Sequence, residues 1–305
     1  MTETPQVQPT DALLRALHEA PAPVPLSFEL FPPQSRKAAQ RLDETASRLA
    51  PVAAHGFSVT MGAGGSDRSG TVATSKRIME STARPVTAHL ISAGMTQEET
   101  LATADRLCAA GVTRILALRG DRPKGATEDT PQGFAHAAGL VAALKKRHPV
   151  DLAVAAYPEK HPEAEDLDTD IDHLKEKIDA GADQAICQFV LNPEAYGRFL
   201  DRCGAHGIDV PIIPGLMPLD GWVRVRRFAL ATGTSVPNWL DRMLSEACET
   251  DEVLPLVGMA ATLEQARRLI AYGAPALHVY TLNRWPLPLA LAECLSADRA
   301  SFQHI

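Results

Sequence analysis

A carboxyl, a hydroxyl, an imidazole and an amide (Glu29, Thr60, His89 and Gln188) each fall near the C-terminal end of a short β-like run. Side chains alternate along a strand. LSFELF therefore sets Leu26, Phe28 and Leu30 on one face and Ser27, Glu29 and Phe31 on the other. GFSVT divides into Phe57 and Val59 against Ser58 and Thr60. PVTAHL divides into Val86 and Ala88 against Thr87 and His89, and the polar set of QAICQF is Gln184 and Gln188. The apolar faces suit a covering layer of helices, and the polar faces bring acid–base and hydrogen-bonding groups together. An unpaired Glu is costly to bury, so Glu29 is either paired or a working acid.

More such groups follow. ALRGD supplies Arg119, Gly120 and Asp121 at the end of a fourth run. Glycine lets backbone approach a ligand closely, while Arg119 and Asp121 form either a local ion pair or part of a site. YPEKHPEA is a proline-stiffened loop with Tyr157 and His161. In the next helix Ile171, Leu174 and Ile178 make the core stripe, with Asp170, His173 and Lys177 along one flank. That flank is either a solvated face or a cationic edge for the phosphate or ribose of a large cofactor.

Positioning these groups needs a regular scaffold. β-like runs occur at Leu26–Phe31, Gly56–Gly62, Pro85–Leu90, Arg114–Gly120, Asp151–Tyr157, Gln184–Val190, Pro211–Met217 and Leu277–Leu282. Segments of helical periodicity such as QRLDETASRLAPVAAH and QEETLATADRLCAAG separate most of them. Gly56, Gly111, Gly181, Gly207 and Gly273 sit where helices should stop. Alternating β and α units imply a parallel sheet with right-handed crossovers. Eight units in about 280 residues fit a closed (β/α)8 TIM barrel. Extra helices are expected in the long gap between strands 7 and 8. A doubly wound open sheet is the runner-up, but its G-x-G-x-x-G turn is missing, and GAGGS at Gly62–Ser66 has different spacing. Residues 1–25 read as an arm with one short helix, Asp11–Ala20, and residues 26–305 as a single catalytic barrel.

Composition narrows the class. Of 305 residues, 45% are hydrophobic and 22% charged, which excludes a disordered chain, a collagen and a disulfide miniprotein. A net charge of −7 argues against a broad nucleic-acid footprint. The five cysteines are scattered without a C-x-x-C pair, so neither a disulfide framework nor a metal site is expected. No signal-peptide pattern opens the chain, and no apolar run nears the ~20 residues of a membrane span. A cytoplasmic location follows as the expectation.

The segments SFELFPP, SVTMGAGGS, TAHL, ALRGD, VAAYPEKHPEA, LKEKIDAGAD, the strand ending at Gln188, IIPGLMP and YTLNR occur in this order from Ser27 to Arg284. Together they resemble methylenetetrahydrofolate reductase of the bacterial type. The resemblance implies a flavoenzyme barrel with FAD, with NADH or NADPH as electron donor. Its substrate would be 5,10-methylenetetrahydrofolate and its product 5-methyltetrahydrofolate, which feeds methionine synthesis. A ping-pong cycle and a homo-oligomer, dimer or tetramer, are implied as well.

By the same resemblance, Glu29 matches the general acid that protonates folate N10. A partly desolvated carboxyl has its pKa raised toward neutrality, which suits that role. Asp121 matches an acidic residue beside flavin and pterin that favours the iminium cation. Gln188, Trp222 and Arg284 match substrate contacts, Trp222 by stacking and Arg284 near the folate carboxylates. Thr60, Met61, Ala63, His89, Arg119, Gly120, Asp121, His136, Tyr157, His161, Ala164, Asp170, His173 and Lys177 fall at positions of the FAD site. Three residues depart from the family pattern. Met61 stands where Tyr is usual, His136 lies near a position often held by Tyr, and Glu176 in LKEK replaces a cation. Two other readings stand beside this one. The first is a folate reductase that binds flavin weakly or uses NAD(P)H directly, and the second is a noncatalytic folate-binding protein. Retention of Glu29 and Asp121 weighs against the binder.

Overall fold

The computed structural model describes residues 24–62, 69–121, 125, 127, 130, 133–250 and 252–296. The expected helix Asp11–Ala20 and Ala63 lie outside the described residues.

Strand and helix alternate from the start of the described chain. β1 (Leu26–Leu30) is followed by α1 (Arg36–Leu49), β2 (Gly56–Val59) by α2 (Ser69–Thr82), and β3 (Val86–Ile91) by α3 (Gln97–Ala109). β4 (Arg114–Leu118) precedes α4 (Ala137–Arg147), β5 (Asp151–Ala156) precedes α5 (Leu167–Asp179), and β6 (Gln184–Phe189) precedes α6 (Pro193–Ala205). After β7 (Ile212–Leu216) come three helices, α7 (Trp222–Thr232), α8 (Asn238–Ala247) and α9 (Val253–Ala271). β8 (Leu277–Tyr280) and α10 (Pro286–Ser296) complete the described chain. The strands are parallel and close in sequence order, β8 pairing back onto β1. The open-sheet alternative is thereby excluded, and the extra helices stand where they were expected.

Local signals explain the elements. Ser35 caps α1 by accepting the Ala38 N–H, and Thr96 and Glu99 form a reciprocal capping box on α3. The inner stripe of α1, Leu42, Ala46 and Leu49, is fully buried, as are Ile171 and Leu174 of α5. These stripes meet the outward strand faces, including Phe28, Leu30, Phe57, Val59, Ala88 and Leu90. The inward faces divide into two halves. Leu116, Ala153 and Ile186, with Leu118, form a separate small apolar cluster from β4, β5 and β6. On β1, β2, β3 and β8 the polar inward positions are Ser27, Glu29, Ser58, Thr87, His89, His278 and Tyr280, all buried or half-buried. Half the barrel interior is thus apolar filling and half is a polar cluster.

Candidate active site

The C-terminal ends of the strands form the mouth where this fold carries its chemistry. Glu29 enters it from β1 with 6% of its surface exposed. Register pairs it with Ser58 on β2 and Tyr280 on β8. Its Oε2 lies 3.6 Å from Nε2 of His89 and 3.5 Å from Nε2 of His278. The Glu29 carbonyl accepts the Thr281 hydroxyl at 2.6 Å, fixing the strand end against β8. Burial pushes His89 down to about 4, against the opposing pull of Glu29. His89 is therefore a neutral imidazole, and its Nε2 has no hydrogen-bond partner. Tyr280 lies beside the mouth, as the sequence suggests, whereas His278 was not singled out, although strict alternation in LHVYTL already sets both on the inward face. Burial holds the Tyr280 hydroxyl well above its ordinary range, and it donates to the Cys187 carbonyl at 3.2 Å. Its ring fits because Gly215 has no side chain, since a Cβ there would lie 2.7 Å from the ring.

A groove of about 500 Å3 opens beside this cluster, over the ends of β3, β4 and β5 and the flanks of α4 and α5. Arg119, Gly120, Asp121, His136, Tyr157, His161, Ala164, Asp170, His173 and Lys177 all line it. Gly120 adopts φ +78°, and a Cβ there would strike the Ile91 side chain at 2.3 Å. Arg119 pairs with Glu163 at 2.6 Å rather than with Asp121. That pair holds the Glu163 carboxyl below its ordinary range. Asp170 is spent locally, accepting the His161 backbone N–H at 2.8 Å. Lys177 is inside the groove wall and donates to the Ala155 carbonyl at 2.7 Å. Burial lowers its ammonium to about 8, opposed by Asp170. The Tyr157 and His161 rings meet edge to face at 4.7 Å, and His136 and His173 stack at 6.4 Å. Burial, with Asp121 and Asp170 nearby, raises the Tyr157 hydroxyl to about 12. Flat rings and cations along one wall fit a large anionic, aromatic cofactor. Glu176 is exposed at the groove edge.

Other expected residues stand apart from the groove. Thr60 is half-buried at the end of β2, where its carbonyl accepts the Thr71 hydroxyl. Met61 is 4% exposed and its sulfur accepts the Ile91 N–H at 3.4 Å, so it packs under the site. Gln188 sits where the β6–β7 ladder slips between Ile186 and Phe189, and its amide oxygen takes the Phe189 N–H at 3.0 Å. Bulges of this kind re-aim side chains beside active sites. Arg284 is exposed and paired with Asp220 at 3.1 Å. Trp222 differs from the expectation of a stacking surface. It is 1% exposed, packed with Leu219, Leu240 and Leu244, and its indole N–H meets Asp241. The added helices α8 and α9 bury it. The exposed aromatic of α7 is Phe228, whose ring stacks on Phe189 at 5.4 Å.

Fold and site together define a (β/α)8-barrel enzyme with a buried acid beside a cofactor-sized groove. The family model for methylenetetrahydrofolate reductase matches residues 15–296. The chain belongs to the methylenetetrahydrofolate reductase family, a family of oxidoreductases that reduce methylenetetrahydrofolate. It is 37% identical to 5,10-methylenetetrahydrofolate reductase of Salmonella typhimurium over 285 residues, 93% of this chain and 95% of that one. Identity to the Escherichia coli enzyme is 36% over 285 residues, with the same coverage. A plant relative, methylenetetrahydrofolate reductase (NADH) 1 of Arabidopsis thaliana, is 31% identical, and this chain covers 46% of it. In fold, the chain resembles a Clostridium thermocellum protein described as binding two copies of 5-methyl-5,6,7,8-tetrahydrofolic acid. That match has a TM-score of 0.67 and 16% identity, covering 95% of this chain and 99% of that one. Among the described residues no helix is long and apolar enough to cross a membrane.

Proposed function

We propose that the chain reduces 5,10-methylenetetrahydrofolate to 5-methyltetrahydrofolate with NADH or NADPH, using FAD held in the groove. One observation carries this reading. The buried carboxyl of Glu29 lies near the C-terminal end of β1, at the end of the barrel where a groove walled by cations and flat rings opens. A bound flavin supplies hydride transfer there, and the protein contributes position, charge and a proton.

Glu29 donates its proton to folate N10. The N10–C11 bond then breaks with its electron pair to nitrogen, leaving an N5 iminium to receive hydride. Asp121, at the groove edge, places a negative charge that favours this cation. Gln188 spends its carbonyl on the Phe189 N–H, which leaves its NH2 group for pterin or nicotinamide. Arg284 exchanges Asp220 for the folate carboxylates. Arg119, His161 and Lys177 face the cofactor's phosphates and ribose, with Gly120, His136, Tyr157, Ala164, Asp170 and His173 around them in the groove, while Thr60, Met61 and His89 support the site from the ends of β2 and β3. Phe228, rather than Trp222, offers the stacking face on α7. Both substrates use one mouth in turn, which is a ping-pong order. The catalytic unit is the barrel, residues 26–305, with residues 1–25 as an arm. A cytoplasmic homo-oligomer belongs to the same reading, supported by exposed Val223, Leu230, Trp239 and Leu256 on α7, α8 and α9.

The visible spectrum of the purified protein and its NAD(P)H oxidation test this reading. Flavin bands and oxidation that depends on methylenetetrahydrofolate are expected. A colourless protein active without added FAD would overturn the flavin assignment, and no folate-dependent oxidation would overturn the function.

A further inference from the structure

Glu29 is approached by two imidazoles, and only one of them is anchored. His278 is 1% exposed and register-paired with Ser27 across β1 and β8. Its Nδ1 lies 2.8 Å from the Ser27 hydroxyl, and its Nε2 lies 3.4 Å from the Ser58 hydroxyl and 3.5 Å from Glu29 Oε2. The ring packs edge-on against Tyr280 at 5.3 Å. His89 reaches the same carboxyl oxygen, but its Nε2 makes no hydrogen bond.

We propose that His278 is a positioning residue that keeps Oε2 of Glu29 a hydrogen-bond acceptor, so that the acid's proton resides on Oε1. This assigns the imidazole proton to Nε2, which faces Oε2 of Glu29, and Nδ1 then accepts the Ser27 hydroxyl at 2.8 Å in preference to the longer 3.5 Å contact of that hydroxyl with the Leu277 carbonyl. An N–H aimed at Oε2 opposes a proton on that oxygen whether Glu29 is neutral or ionised. Neutral Glu29 therefore carries its proton on Oε1, the oxygen left for the mouth. When Oε1 gives that proton to N10, Oε1 and Oε2 share the resulting charge and the His278 N–H faces it. The 3.5 Å separation is longer than a hydrogen bond, and such contacts tighten when substrate fills a site. The titratable groups that face His278 are Glu29 on β1, His89 on β3, Tyr280 on β8 and His55 before β2. This inference rests on the proposed folate reduction.

The test uses the flavin-loaded enzyme and separates its two half-reactions. In His278→Leu the donor is lost. Oxidation of the reduced enzyme by methylenetetrahydrofolate should slow by about 10–100-fold, part of what a general acid contributes. The pH midpoint of that half-reaction should move, and NAD(P)H reduction of the flavin should stay within about twofold of wild type. His278→Gln restores an N–H near the Nε2 position and should recover most of the rate. Ser27→Ala frees the tautomer without emptying the core, and should give an intermediate loss confined to the folate half-reaction. Equal loss in both half-reactions, an unchanged folate half-reaction, or a Gln variant no better than Leu would each overturn the proposal. Wild-type protein that does not reduce methylenetetrahydrofolate would overturn the functional reading and this proposal with it. Wild-type turnover with an unaffected His278→Leu variant would overturn this proposal alone.

Discussion

His89 is held neutral inside the barrel, and this has a consequence for acid stability. Its folded pKa of about 4 lies below the ordinary 6.5 because burial penalises the charged ring. Between those two values the unfolded chain binds the proton and the folded chain does not. Stability from this group is therefore complete above pH 6.5 and is lost as pH falls toward 4. His89→Gln should flatten that limb of a urea-midpoint-against-pH curve, and an unchanged limb would show that other groups set it. Glu29, Ser58, Thr60 and His89 were legible in the sequence because a strand of period two assigns each side chain a face, and Asp170, His173 and Lys177 because helix periodicity puts them on one flank, whereas His136 and Ala164 were reached only through the family resemblance. His278 obeyed the same rule and was passed over, since a His beside a Leu and a Val reads as core. The pairing of Arg119 with Glu163 was not legible, because the two are brought together by the folded β4 and β5 loops.

At the scale of elements, the β8 end is clipped to the β1 end. Asn283 accepts the Phe31 N–H at 2.8 Å and donates to the Phe31 carbonyl at 2.9 Å. Leu282 and Asn283 both take left-handed backbone, φ +52° and +53°, to make this turn. Asn tolerates that conformation, and Leu there is strained. The turn sets Arg284 next to Asp220 and holds the end of the strand that carries Glu29. Asn283→Ala should destabilise the fold by about 2 kcal/mol through two lost hydrogen bonds and left-handed strain. It should also raise the KM for folate more than that for NAD(P)H. Urea unfolding and steady-state kinetics check both parts, and a shift below ~0.5 kcal/mol would show the clip to be dispensable. All eight strands could be read because short apolar runs alternate with helical periodicity and glycine stops. The placing of Trp222 could not. Helix periodicity in α7 gives two candidate faces, and the packing of α8 and α9 decides which one is covered.

Taken whole, the molecule is a barrel with an apolar half interior and a polar half interior. The apolar half fills the space beneath β4, β5 and β6, and the polar half carries the acid. Its net charge is −7, yet the ligands proposed for it are anionic. Local groups must therefore hold them against the overall field, and Arg119, His161, Lys177 and Arg284 stand around the groove and mouth. In the proposed cycle one mouth serves two substrates, of which only folate needs a proton. The central claim is that Glu29 supplies this proton and nothing else, and the most direct test measures both half-reactions in Glu29→Gln. NAD(P)H should reduce the flavin of this variant within about twofold of the wild-type rate, while reoxidation by methylenetetrahydrofolate falls by ~10²-fold or more. Equal losses in the two half-reactions would contradict the account and make Glu29 a structural residue.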